Sequence, residues 1–105
     1  MSEVIDLSIL LEEYLDDASG HLDSVETALL ALEKSSNSGG SDPQSLISIL
    51  GNLHTLKGNS GMMGFTPVQQ YIHRLESVLK MVQEQEEPLS AAVFEAFYTA
   101  VSSLR

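Results

Sequence analysis

Apolar residues recur at alternating spacings of four and three through four separate segments of this chain, and no segment sustains a period of two. That rhythm fits the 3.6-residue helical turn and leaves no candidate strand. In the first segment Leu11, Leu15, Ala18, Leu22, Val25, Leu29 and Leu32 make one stripe, which predicts a helix from Leu7 to Lys34. Glu12, Glu13, Asp16, Asp17, Asp23, Glu26 and Glu33 fall on its solvated side. Gly20 interrupts the composition but not the period, and marks a bend or a close helix contact. Ser35 to Ser41 reads as a loop. Asp42-Pro43 then supplies an N-cap and a proline at the first helical position. The second helix carries Leu46, Ile49, Leu50, Leu53 and Leu56 on one side, runs towards Met63 and ends at Gly64-Phe65. Thr66-Pro67 repeats the cap-plus-proline signal, and Val68, Ile72, Leu75, Leu79 and Val82 form the third stripe. Pro88 closes the polar segment after it. Ser90 is the expected cap of a fourth helix, with Leu89 and Phe94 as a hydrophobic staple. Phe94, Phe97, Val101 and Leu104 are its apolar face. Four amphipathic helices with short connections predict an all-α fold, an antiparallel up-down bundle packed near +20°.

At 105 residues the chain is expected to be a single, monomeric domain spanning 1–105 with one core. Its formal charge of −10, from 15 acids against 5 bases, argues against nucleic-acid binding, which needs clustered cations to displace counterions. The same charge argues against docking on an anionic membrane. There is no cysteine, which excludes disulfides and thiolate metal sites. The acidic N-terminus lacks the basic region of a signal peptide, and no apolar run approaches the ~20 residues of a membrane span. A cytoplasmic location is the expectation.

The second helix contains an unusual run, His54-Thr55-Leu56-Lys57-Gly58-Asn59-Ser60-Gly61-Met62-Met63-Gly64-Phe65, with Gly51 just upstream. Glycine inside a helix costs roughly 1 kcal/mol relative to alanine, so these glycines imply a surface kept bare. On a helical wheel His54 lies at the edge of the apolar stripe, roughly 110° from its centre. Its neighbours at i±3 and i±4 are Leu50, Gly51, Lys57 and Gly58, and Gly61 continues the same side. A macromolecule can therefore approach the imidazole, and an anion attached to the ring can meet Lys57. Met62 falls outside the stripe, where a thioether either serves a partner surface or packs under the 64–66 turn.

The third helix adds His73 and Glu76 at i, i+3. His54 is eleven residues before Phe65 and Glu76 eleven after it, so a hairpin closed between Gly64 and Thr66 brings both to one height. Glu76 then either accepts a hydrogen bond from Nδ1–H of His54 or makes an i,i+4 ion pair with Lys80. The first arrangement fixes the tautomer and leaves Nε2 exposed as a nucleophile. Such a nucleophile suits a phosphoryl group, whose transfer needs positioning and charge stabilisation above all. A free imidazole, pKa about 6.5, is mostly neutral at pH 7, and a lysine pairs with phosphate oxygens as a point charge. A metal site of His54, His73 and Glu76 is the weaker alternative, because the i,i+4 histidine pair of helical zinc sites is absent. A non-catalytic adaptor bundle with a vestigial histidine is another.

The run from His54 to Phe65 closely resembles the phosphoacceptor motif of histidine phosphotransfer (HPt) domains. It is most similar to the N-terminal HPt domain of chemotaxis-type histidine kinases, the CheA family, and the resemblance covers nearly the whole chain. It implies that His54 is phosphorylated at Nε2 by the kinase's ATP-binding domain and passes the group to an aspartate of a response-regulator receiver domain. It further implies that Lys57 stabilises the phosphoryl group, that Gly58 permits close approach, and that His73 and Glu76 support from the next helix. Gly51, Gly61 and Met62 are expected beside it as partner-access surface. No cofactor is expected on this domain; ATP and Mg²⁺ belong to the partner kinase domain, and no GxxxxGK[ST] phosphate loop is present. Asn59-Ser60 stands where many relatives have Ser-Ala. Family members of the chemotaxis type often carry a fifth helix, which the four segments here leave out.

Overall fold

The computed structural model describes residues 7–37, 43–85 and 91–104. It contains four helices in chain order: α1 (Leu7–Asn37), α2 (Pro43–Met62), α3 (Thr66–Gln85) and α4 (Ala91–Leu104). They form an all-α bundle, with no strand among the described residues. The expected cap at Asp42, the cap at Ser90, the staple residue Leu89 and the closing Pro88 all lie outside the described residues.

The four stripes meet in one core. Leu22, Val25 and Leu29 of α1 pack with Ile49, Leu53 and Leu56 of α2, Ile72 and Leu79 of α3, and Phe94, Phe97 and Val101 of α4. Burying each leucine or isoleucine contributes roughly 1.5–3 kcal/mol relative to leaving it in water. Polar contacts set the pairing direction. Tyr14 meets Ser60, Asp17 meets Asn59 and His21 meets Asn52, so numbers rise along α1 as they fall along α2. The two helices are therefore antiparallel, and α3 returns along α2 in the same sense. The long axis of the molecule is 61 Å against 21 and 20 Å across, and α1, about 46 Å long from its 31 residues, is the longest element.

Three local expectations change. α1 continues three residues past Lys34 to Asn37. Leu11 and Leu15 are exposed although they continue the α1 stripe. Tyr14 takes the inward position at that level. α4 is tied to the opposite end of α1 through Tyr98 and Glu33, and its 14 residues are less than half the 31 of α1. Among the described residues, none covers the other end of the same face at Leu11 and Leu15. Gly20 is exposed, and a Cβ added there would meet nothing within 4 Å, so it marks no close helix contact.

The α2–α3 turn is built by backbone chemistry. Phe65 N–H donates to Ser60 O at 2.9 Å and Gly64 N–H to Gly61 O at 3.0 Å, the paired bonds of a Schellman end. Gly64 has φ +77°, a left-handed conformation that a side chain disfavours. Phe65 O then accepts from Gln69 N–H at 2.9 Å, so Phe65 holds the cap position of α3. Thr66, expected there, is already the first residue of the helix, and Pro67 sits in the first turn where its missing N–H costs no bond. The Phe65 ring also packs edge-on against Tyr14, with centroids 5.3 Å apart.

Candidate functional site

α2 buries Leu53, Leu56 and Ser60 against the core and turns the intervening residues outward. His54 follows Leu53 round the helix, and its side chain is 73% exposed. Gly51 and Gly58 flank it at i−3 and i+4. Both are exposed, and a Cβ at either would meet nothing within 4 Å. Internal packing therefore does not explain these two glycines, and each leaves open backbone beside the imidazole. Gly61 is different. A Cβ there would collide with the side-chain amide of Gln69 on α3, whose Cδ would lie 3.0 Å away. Gly61 lies at the α2–α3 contact, where the flexible end of the Gln69 side chain would have to shift to admit a Cβ. Met62 is 87% exposed, so it does not pack under the turn.

Glu76 occupies an unusual place for an acid. It follows Ile72 by one turn and precedes Leu79 by three residues on the core side of α3, and its side chain is only 3% exposed. A buried carboxylate is costly unless paired. Three nitrogens surround it. Lys57 Nζ lies 3.0 Å from Oε1, Nδ1 of His54 lies 3.7 Å from Oε2, and Lys80 Nζ lies 3.9 Å from the same oxygen. The Lys57 contact is an ion pair by distance, yet its angles fall short of a hydrogen bond, and Oε1 has no other partner. The His54 contact also exceeds hydrogen-bond length. Glu76 is thus held by charge, with room for either neighbour to close.

The hairpin brings His54, Lys57 and Glu76 together. The sequence offered Glu76 a choice between His54 and Lys80; in the structure both approach one oxygen while Lys57 takes the other. Lys57, expected at a phosphoryl group, is here engaged with Glu76 and is 21% exposed. His73 is exposed, and its carbonyl accepts Ser77 Oγ at 3.0 Å. Among the described residues no contact joins its ring to His54 or Glu76. No group of three His, Cys, Asp or Glu side chains among them is placed to hold a metal, so His54, His73 and Glu76 do not converge as one.

Sequence reasoning missed the polar seam between α1 and α2. Ser60 is fully buried, with its Oγ 2.7 Å from the Tyr14 hydroxyl. Asn59 donates to Asp17 Oδ2 at 2.8 Å, and His21 Nε2 lies 3.2 Å from the same oxygen. The other ring nitrogen of His21 is 2.8 Å from Asn52 Oδ1, and the Asn52 amide donates to Ser48 O at 2.8 Å. These contacts pin the back of α2 to α1 and so fix which way His54 faces. The sequence signal for them was faint: Tyr14, Asp17 and His21 recur at spacings of three and four along one side of α1.

A family model, the Hpt domain, matches residues 9–105. A chemotaxis protein CheA of Listeria monocytogenes is 32% identical over 95 residues, covering 90% of this chain and 15% of the relative. One from Bacillus subtilis is 29% identical over 100 residues, covering 95% of this chain and 14% of the relative. One from Halobacterium salinarum is 34% identical over 77 residues, covering 70% and 10%. The chain therefore spans a small part of the curated relatives it matches. No helix among the described residues is long and apolar enough to cross a membrane.

Proposed function

The chain belongs to the Hpt domain family, and on that premise we propose that His54 accepts a phosphoryl group from the ATP-binding domain of a histidine kinase and passes it to an aspartate of a receiver domain. Chemotaxis-type two-component signalling in the cytoplasm is the setting that its similarity to chemotaxis proteins favours. The observation that carries the reading is an exposed imidazole whose Nδ1 faces a buried carboxylate.

The chemistry follows from that placement. With Nδ1 carrying the proton towards Glu76, the lone pair sits on Nε2, on the open side of the ring. That lone pair attacks the γ-phosphorus of ATP. The Nε2–P bond forms, the bond from phosphorus to the bridging oxygen breaks, and ADP leaves with its electron pair. The ring gains positive charge, which the Glu76 carboxylate offsets as the acid of a catalytic triad does. In the second transfer a carboxylate oxygen of the receiver attacks phosphorus, and the Nε2–P electron pair returns to the ring. ATP and its Mg²⁺ are placed on the kinase domain and the accepting aspartate on the receiver. Lys57 lies one turn from His54 on the same helix and supplies a positive charge for the phosphoryl oxygens. Gly51 and Gly58 let a partner's active site approach the ring, and Met62 offers an apolar contact at the helix end.

Incubation with an active cognate kinase core and γ-labelled ATP tests the reading. The expected label is acid-labile, alkali-stable and absent from His54→Gln. An active kinase that leaves the wild-type chain unlabelled would instead make this a helical interaction bundle.

A further inference from the structure

Glu76 has a lysine on each side. Lys57 Nζ lies 3.0 Å from Oε1, and Lys80 Nζ lies 3.9 Å from Oε2, which His54 Nδ1 also faces at 3.7 Å. We propose that the two lysines divide the work: Lys57 turns from Glu76 to the phosphoryl group, and Lys80 stays behind as the carboxylate's counter-ion in the phosphorylated state. Lys80 is then a positioning residue, acting on His54 through Glu76. The inference rests on the reading of His54 as the phosphoacceptor.

Burial is the reason a second cation is required. A carboxylate with 3% exposure is poorly solvated, and once Lys57 leaves, the ring that still faces it carries a positive charge already offset by its own phosphoryl oxygens. Lys57 is its close cation before phosphorylation. Nε2 is the ring nitrogen turned away from Glu76, so a phosphoryl group on it lies on the far side of the imidazole. An ammonium that pairs with its oxygens departs from Oε1. Lys80 has no such competing task. It stands one turn along α3 from Glu76 itself, so the spacing between the two backbones does not change. Its side chain is 60% exposed, which leaves it free to close the gap without disturbing the core. A carboxylate has about four lone-pair sites, so Oε2 accepts both Lys80 and Nδ1–H of His54. With Lys80 closed, Glu76 remains in place to accept from Nδ1–H while the ring carries phosphorus.

The test is the equilibrium constant for phosphoryl transfer between ATP and the chain, with ADP present and kinase core in catalytic amounts. A catalyst does not move that constant, so weakened kinase docking cannot imitate the effect. A lysine that merely stabilises the fold contributes equally to both states and also leaves it unmoved. Lys80→Gln is expected to shift the constant towards the unphosphorylated chain by about threefold to fivefold, the upper range for a partly exposed pair. The melting temperature of the unphosphorylated protein should stay close to that of the wild type. Lys80→Arg is expected to restore the constant. A constant for Lys80→Gln equal to that of the wild type overturns the inference while leaving His54 as acceptor. A wild-type chain that takes no label overturns the reading beneath it instead.

Discussion

Glu76 is a buried acid whose two oxygens are shared among an imidazole and two ammonium groups. Its negative charge, not its volume, is what the neighbours respond to. Glu76→Gln keeps the shape and removes the charge. The amide presents either its oxygen or its NH₂ to Nδ1, so the tautomer is no longer fixed. Phosphorylation of His54 should slow by about 10–100-fold, the range lost when an imidazole loses its orienting partner in metal sites. Helix content by circular dichroism should be unchanged. A rate equal to the wild type would remove Glu76 from the mechanism. Lys57 shows why single residues are hard to read from a wheel. Its position three residues after His54 put it on the right face, but which anion it meets depends on a carboxylate from another helix.

At the scale of elements, the glycines of α2 and of the turn after it separate by what surrounds them. Gly58 faces open space, whereas Gly64 holds a φ of +77° and closes the turn. Their alanine variants should move stability in opposite directions. Gly58→Ala removes a poor helix former from a helix interior and should raise stability by up to about 1 kcal/mol, while the added methyl narrows the approach to His54 and slows transfer. Gly64→Ala forces a methyl into left-handed backbone, costing about 1–2 kcal/mol, or roughly 4–10 °C in melting temperature for a domain of this size. Thermal melts of the two proteins check this. A destabilised Gly58→Ala would mean that glycine is structural after all. The same turn also sets the height of Glu76 against His54, because the Schellman bonds fix where α2 stops and α3 begins.

Across the whole molecule, α4 is attached to the core by Phe94, Phe97 and Val101 and to the end of α1 by the hydrogen bond from the Tyr98 hydroxyl to Glu33 Oε1, at 3.1 Å. Burial pushes the Tyr98 hydroxyl up from 10.0 to about 12, helped by that hydrogen bond and by the charges of Glu33 and Glu26. The folded state therefore holds this proton more tightly than the unfolded chain does. The associated stability is fully present below pH 10 and is lost as pH rises through about 12. Tyr98→Phe keeps the ring and removes the proton. Between neutral pH and pH 10 it should be less stable than the wild type, by about 1 kcal/mol for the lost hydrogen bond. By pH 12 the difference should close, as denaturant melts at each pH would show. Parallel decline of both proteins over that window would mean the bond does not hold α4.

The sequence by itself determined the four helices, the stripes that form their core, and the exposed histidine flanked by Gly51, Gly58 and Lys57. These follow from local periodicity, because a helix fixes the direction of every side chain relative to its neighbours. Residue counting about Phe65 also placed His54 and Glu76 at one height. Only the tertiary structure decided who meets whom across helices. It gave Lys57 to Glu76, turned His54 Nδ1 to the oxygen that Lys80 also approaches, set Gln69 against Gly61, and left Leu11 and Leu15 uncovered while Tyr14 reached Ser60. Such pairings depend on the rotation of one helix against another to within a fraction of a turn. That rotation is set jointly by all the side chains in the core, and no single stretch of sequence contains it.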